Sequence, residues 1–159
     1  MTRTKLVLSL GLVVLLGIVF QVLFVFADIQ DSPTKATVEF AKAYYAVNKA
    51  CMKDRYCQSA LEAEEGNPID TYVYQATQAA NARGFDMNIY IKNRLYHVET
   101  ETIEATHDQA KVHLTGERKS PLRTFFSKGD IHPVNATFDL VKEDGKWKVC
   151  GTNLFEDGV

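Results

Sequence analysis

The run LVLSLGLVVLLGIVFQVLFVF, Leu6 to Phe26, carries no charge and only Ser9 and Gln21 as polar interruptions. Its 21 residues make a helix of about 30 Å, the thickness of a bilayer's hydrocarbon core. The spacing predicts a membrane anchor over 1–28, with Leu6, Leu16 and Phe26 marking its start, middle and end, and an exported domain over 29–159. Arg3 and Lys5 precede the run and Asp28 and Asp31 follow it, so the Lys/Arg bias keeps the N-terminus cytoplasmic and puts the C-terminal domain in a periplasmic or extracellular space. A cleaved secretory signal is the competing reading, because Val25 and Ala27 form a small-residue pattern before Asp28. That reading yields a secreted soluble domain. Gly11 and Gly17 are not spaced as a small-xxx-small helix-packing pair.

Behind the run lie about 130 residues, the size of one domain with one core. Net charge is −2 with the signs interspersed, which excludes nucleic acid as a partner. Three cysteines, Cys51, Cys57 and Cys150, leave one over after any pairing in an oxidising compartment. We expect Cys51 to pair with Cys57, which requires the helix carrying Cys51 to end within Met52 to Tyr56. Three buried thiols are the alternative. No Cys-x-x-Cys motif and no zinc-finger spacing occurs, and no cofactor is implied.

Ser32 and Pro33 form a helix start, and Ala36, Phe40, Tyr44, Val47 and Cys51 give one apolar stripe from Ala36 to Cys51, so a single helix is expected from that start through Cys51. A short helix follows from Gln58 to Glu65, then a third from Asp70 to Arg83, closed by Gly84. Phe85 to Tyr96 reads as helix, although Ile89 to Ile91 also suits a strand. From His97 the period becomes two. His97–Ala105 and Gln109–Glu117 form a hairpin across Thr106, His107 and Asp108. A second hairpin pairs Val134–Leu140 with Trp147–Val149 across Glu143, Asp144 and Gly145. Ala110, Val112 and Leu114 face inward, while Lys111, His113 and Thr115 face water.

The stretch ATFDLVKEDGKWKVCG, Ala136 to Gly151, together with helices followed by a strand meander, resembles the nuclear transport factor 2-like superfamily, the cone shared with SnoaL-like and ketosteroid isomerase-like proteins. The resemblance implies an α+β fold in which helices pack on a curved antiparallel sheet. It also implies a concave mouth that takes either a small apolar ligand or a protein partner. Members anchored by one N-terminal helix are often non-catalytic accessory subunits of envelope complexes. The expected function is therefore a single-pass accessory or assembly subunit whose exported domain binds other subunits of a membrane complex. A small-molecule binder or an isomerase- or dehydratase-type enzyme using the cone is the alternative.

Residues able to carry chemistry are scattered. His97, His107, His113 and His132 show no metal spacing, and Glu99, Glu101 and Glu104 read as a solvated strand face rather than a general acid–base pair. Tyr44, Tyr45, Tyr72, Tyr74, Tyr90 and Tyr96 read as core and rim packing before they read as a pocket lining, and Trp147 as a core anchor. Leu122, Phe125, Phe126 and Ile131, apolar residues in a segment bounded by Pro121 and Pro133, form the expected partner-binding surface. The alternative is that they close one end of the cone.

Overall fold

A computed structural model describes residues 11–22, 31–62, 66–84, 93–119 and 131–151. The chain divides into two compact units, Met1–Asp31 and Ser32–Val159. In the first, residues 11–22 form helix α1, exposed throughout, with Leu16 at 46%. Leu6 and Phe26 lie outside the described residues. Among the described residues no helix is long and apolar enough to cross a membrane.

The second unit begins with α2, Pro33–Tyr45. The Ser32 hydroxyl accepts from the Lys35 amide at 3.2 Å, and Pro33 occupies the first turn, where its missing N–H costs no hydrogen bond. The expected single helix to Cys51 breaks at Ala46–Asn48. Val47 takes a positive φ of 50°, and the Asn48 side chain accepts from the Cys51 amide at 3.3 Å, capping a separate helix α3, Lys49–Asp54. Apolar spacing alone hides this break, because an Asn able to cap competes with helix continuation. Helix α4 is the single turn Gln58–Leu61, with the Glu143 carboxylate accepting from the Gln58 amide at its N-terminus. Helix α5 spans Pro68–Ala82. Its cap is Asn67, so the helix begins ahead of the expected start at Asp70; Asp70 sits in the first turn and forms ion pairs with Lys49 at 3.0 Å and Lys53 at 3.2 Å. Those lysines tie α3 to α5 and hold the Asp70 carboxyl below its usual range.

Four strands follow: β1 Arg94–Ala105, β2 Gln109–Lys119, β3 His132–Glu143 and β4 Lys146–Cys150. They form one antiparallel sheet in the order β1-β2-β3-β4. Both expected hairpins are present. The second closes through Asp144 and Gly145, both at positive φ, the conformation that a two-residue turn matched to strand twist demands. The helix expected from Phe85 to Tyr96 is corrected at its end: Arg94–Tyr96 is strand, while 85–92 lies outside the described residues. Cross-strand pairing with Glu117–Lys119 overrides the weak helical stripe there.

The fold is α+β, with helices packed on one face of the sheet. Val112, Leu114, Val134, Phe138, Leu140, Trp147 and Val149 point from the sheet into a core completed by Ala36, Phe40 and Ala41 of α2, Met52 of α3 and Ile69 and Tyr72 of α5. Trp147 is buried, as expected. Residues 55–57 run alongside the edge of β4: the Cys57 amide donates to the Val149 carbonyl at 2.9 Å and the Val149 amide to the Arg55 carbonyl at 2.8 Å. This pairing drops the Tyr56 ring into the core and leaves that sheet edge covered. Arg55 fastens the same corner, with two nitrogens on the Glu39 carboxylate and a third on the Trp147 carbonyl.

The same pairing decides the disulfide. Cys57 bonds to Cys150, with Cα atoms 5.3 Å apart, and Cys51 is free and exposed on α3. The expected Cys51–Cys57 bridge is therefore wrong. The helix does end before Tyr56, as such a bridge required, but the chain then turns its next cysteine toward β4, a contact that local spacing does not encode.

Tyr56 is fully buried and donates to the Gly151 carbonyl at 2.5 Å. Burial pushes its phenol from 10.0 up to about 12. Between those values the unfolded chain has lost a proton that the folded chain keeps, so this contribution is complete below about 10 and lost as pH rises toward 12. Urea midpoints measured across that window should fall more steeply for the native chain than for Tyr56→Phe. The variant should itself be about 1 kcal/mol less stable at neutral pH for want of one hydrogen bond. Parallel slopes in the two proteins would remove Tyr56 from the alkaline transition.

Candidate functional site

Charged and aromatic side chains gather at the end of the sheet where β1 begins, β2 ends and β3 begins. Register pairs Arg94 with Lys119, Leu95 with Arg118, Tyr96 with Glu117 and, on the other side, Arg118 with His132. Just inside this end β1 bulges: His97 and Val98 stand opposite Gly116 alone, and His97 takes φ 48°. A Cβ on Gly116 would lie 3.2 Å from the Tyr96 carbonyl oxygen and 3.6 Å from Val98, so a residue without a side chain lets the bulged strand approach. The bulge brings the His97 Nδ1 to 3.3 Å from Glu117, which also binds Lys119 at 3.0 Å. Lys119, and after it His97, hold the Glu117 carboxyl below its usual range. The Lys119 ammonium in turn lies 5.4 Å from the centre of the Tyr96 ring.

Two exposed apolar groups flank these charges: Tyr96 at 39% and Ile131 at 54%. Ile131 is the one described member of the expected partner-binding set, since Leu122, Phe125 and Phe126 lie outside the described residues. It stands immediately before His132 at the start of β3. Arg118 on the inward side of β2 and the bulge at His97 are the two features that apolar patterning did not bring forward.

Other candidates stay apart. His107 contacts its neighbour Asp108 at 2.6 Å, and His113 contacts the Thr137 hydroxyl at 3.1 Å on the solvent side of the sheet. Among the described residues no group of three His, Cys, Asp or Glu side chains is placed to hold a metal ion. Glu99, Glu101 and Glu104 are exposed, as a solvated face requires. Tyr44 stacks on Tyr72 at 4.4 Å and Tyr45 packs edge-on to Tyr44 at 5.1 Å, which makes them core furniture, whereas Tyr74 is 64% exposed. Tyr90 lies outside the described residues. Tyr72 donates to the Tyr44 carbonyl at 3.1 Å, and burial, chiefly, raises its pKa. A hollow of about 360 Å³ lies at the other end of the sheet, beside Glu104, Thr106, Lys111 and Asp139. Its one close charge pair, Lys111 with Asp139 at 3.5 Å, is already satisfied.

No family model matches the chain, and no curated protein matches it. Among solved structures it is similar to a protein of Campylobacter jejuni described as an NTF2-like transpeptidase. The match has 18% identity and a TM-score of 0.47, and covers 76% of this chain and 99% of that one.

Proposed function

We propose that the chain is a single-pass, membrane-anchored accessory or assembly subunit of the nuclear transport factor 2-like type, whose exported α+β domain binds another subunit of a membrane complex. The observation that carries the reading is the bond between Cys57 and Cys150 in a domain that follows a 21-residue uncharged run, apolar but for Ser9 and Gln21. Disulfides persist outside the reducing cytosol, and the apolar run supplies the route there. Helices followed by an antiparallel meander agree with the superfamily's order of elements. The contact surface is the sheet end, where Ile131 and Tyr96 are exposed among Arg94, Lys119 and His132. Aromatic and aliphatic anchors rimmed by charge are the usual composition of an interface centre and its border.

A photo-crosslinking residue placed at Ile131 in the full chain, expressed in its native membrane, should give one discrete heavier adduct on irradiation. The same residue at Thr71, exposed on α5, should give none. A monomer alone from Ile131, or the same ladder from both positions, would remove this surface from the proposal. Alkaline extraction of membranes tests the anchor separately: release of the full-length chain into the supernatant would rule it out.

A further inference from the structure

The two edges of the sheet are treated differently. Residues 55–57 lie along β4 and cover that edge through main-chain bonds with Val149. The opposite edge is β1, and among the described residues its twelve positions, Arg94–Ala105, pair with β2 alone. A free edge of that length presents a row of unpaired N–H and C=O groups, a template for one more strand. From Glu101 to Ala105 every residue is exposed, whichever face of the sheet it belongs to.

From Glu99 onward this edge carries one sign of charge. Register sets Glu99 opposite Thr115, Glu101 opposite His113 and Glu104 opposite Lys111, every second residue on the water-facing side of β2. A bulge between Thr102 and Glu104 leaves Ile103 without a β2 partner, and that extra residue brings Glu104 into line with the other two. The three carboxylates therefore follow one another about 7 Å apart along the strand. Among the described residues none of them has an ion pair or hydrogen bond, and Lys111, across from Glu104, is held by Asp139 at 3.5 Å. Nor do they form a group able to hold a metal ion.

Two copies of β1 placed edge to edge would bring these rows of like charge together, so the edge repels its own kind. The same row attracts a strand with Lys or Arg at every second position. We infer that the free edge of β1 is a docking site for an extended basic segment of another protein, which adds to the four-stranded sheet and sets its cationic side chains over Glu99, Glu101 and Glu104. Main-chain hydrogen bonds hold the segment, and the spacing of the carboxylates selects it. This edge is distinct from the sheet end around Ile131, and the inference stands whether or not the chain is anchored in a membrane.

The test uses the full chain in lipid nanodiscs and three end-blocked peptides. The first is Lys-Thr-Lys-Thr-Lys-Thr-Lys; the second is the same peptide N-methylated at every internal residue, which keeps the charge and removes the main-chain donors; the third has the same composition with its lysines in adjacent pairs. The first should bind saturably and slow amide hydrogen exchange within 99–104 by at least about tenfold. The second should bind at least about tenfold more weakly, and the third several-fold more weakly. Combining Glu99→Gln, Glu101→Gln and Glu104→Gln should weaken the first peptide by about tenfold. If that triple variant does not fold, Glu101→Gln alone should weaken it several-fold. Equal binding of the N-methylated peptide, native affinity in the glutamine variants, protection confined to other segments, or no saturable binding would each overturn the assignment and leave the acidic row as a guard against edge-to-edge aggregation.

Discussion

Replacing Cys57 or Cys150 with serine should remove about 4–5 kcal/mol of stability, the largest effect we expect from any single substitution in the α+β domain. The bond joins positions 93 residues apart, so in the oxidised chain it shortens nearly every unfolded conformation of the domain. Chain-entropy estimates give about 3 kcal/mol for a 15-residue loop and about 4.7 kcal/mol for one of 100 residues. Set against a total of about 5–15 kcal/mol for a domain, that loss brings the protein close to unfolding at physiological temperature. Cys57 is itself fully buried, so the serine variant also places a hydroxyl where a sulfur was bonded. Cys150→Ser isolates the loop effect better. Cys51→Ser should leave stability within about 0.5 kcal/mol of the native chain, because its side chain is exposed and unbonded. Urea unfolding of the three variants measures the contrast, and non-reducing peptide mapping identifies the bond directly. If Cys51→Ser proved as damaging as Cys150→Ser, the connectivity drawn here would be wrong.

Elements governed by short-range chemistry were legible before any coordinates. The turn at Asp144–Gly145 follows from two residues that tolerate positive φ between alternating runs, and the strand it opens is the one the alternation of Trp147 and Val149 marks. Ser32 and Pro33 fix the start of α2 to the residue. What the pattern could not carry is competition between local and distant partners. Ala36 to Cys51 shows an unbroken apolar stripe, yet the chain breaks at Ala46–Asn48, Asn48 caps the next helix, and that helix buries Met52 in the core. Arg94 to Tyr96 lies in a stretch that fits a helical face until β2 supplies strand partners. Cysteine pairing failed for the same reason: two thiols six positions apart look like a local staple, whereas the bond depends on residues 55–57 lying beside β4.

The candidate site divides along the same line. Ile131 was legible as a large apolar residue near two prolines, and it is exposed at the sheet end. Arg118 was available to the same reasoning that found the inward column, since it stands at even spacing after Ala110, Val112 and Leu114. The loop signals at Pro121 and Gly129 and the polar pair Glu117–Arg118 mask the continuation of the alternation beyond Glu117. A charged residue at an inward position is the informative exception to apolar patterning, and extending the count by one residue exposes it. The bulge at His97 has a weaker signal, a single glycine in the facing strand, and becomes meaningful only when the register is known.

Phe40→Ala should cost about 3–5 kcal/mol, second only to loss of the disulfide. Phe40 is fully buried at the centre of α2, and its ring stacks on Tyr44 at 6.5 Å and Tyr56 at 5.6 Å and meets Phe138 edge-on at 6.2 Å. It therefore connects the helix, the strand-like segment at 55–57 and β3 through one side chain. The cost belongs at the upper end of the range because the walls of the resulting cavity are held in place. Tyr56 is fixed by its bond to the Gly151 carbonyl and by main-chain pairing with β4, while Tyr44 is backed by Tyr72, which stacks on its ring and donates to its carbonyl. Walls that cannot move inward leave the cavity empty, and the penalty grows with the volume left. Phe40→Leu keeps most of the volume and should lose about 1–2 kcal/mol. Combined with Tyr56→Phe, the alanine substitution should be less than additive, since the two rings touch and an unstacked Tyr56 can relax once its hydroxyl anchor is gone. Chemical unfolding of the two single variants and the double variant gives this coupling directly. A loss below about 1 kcal/mol for Phe40→Ala would mean that the cavity collapses, and with it the claim that hydrogen-bonded tyrosines make this core rigid.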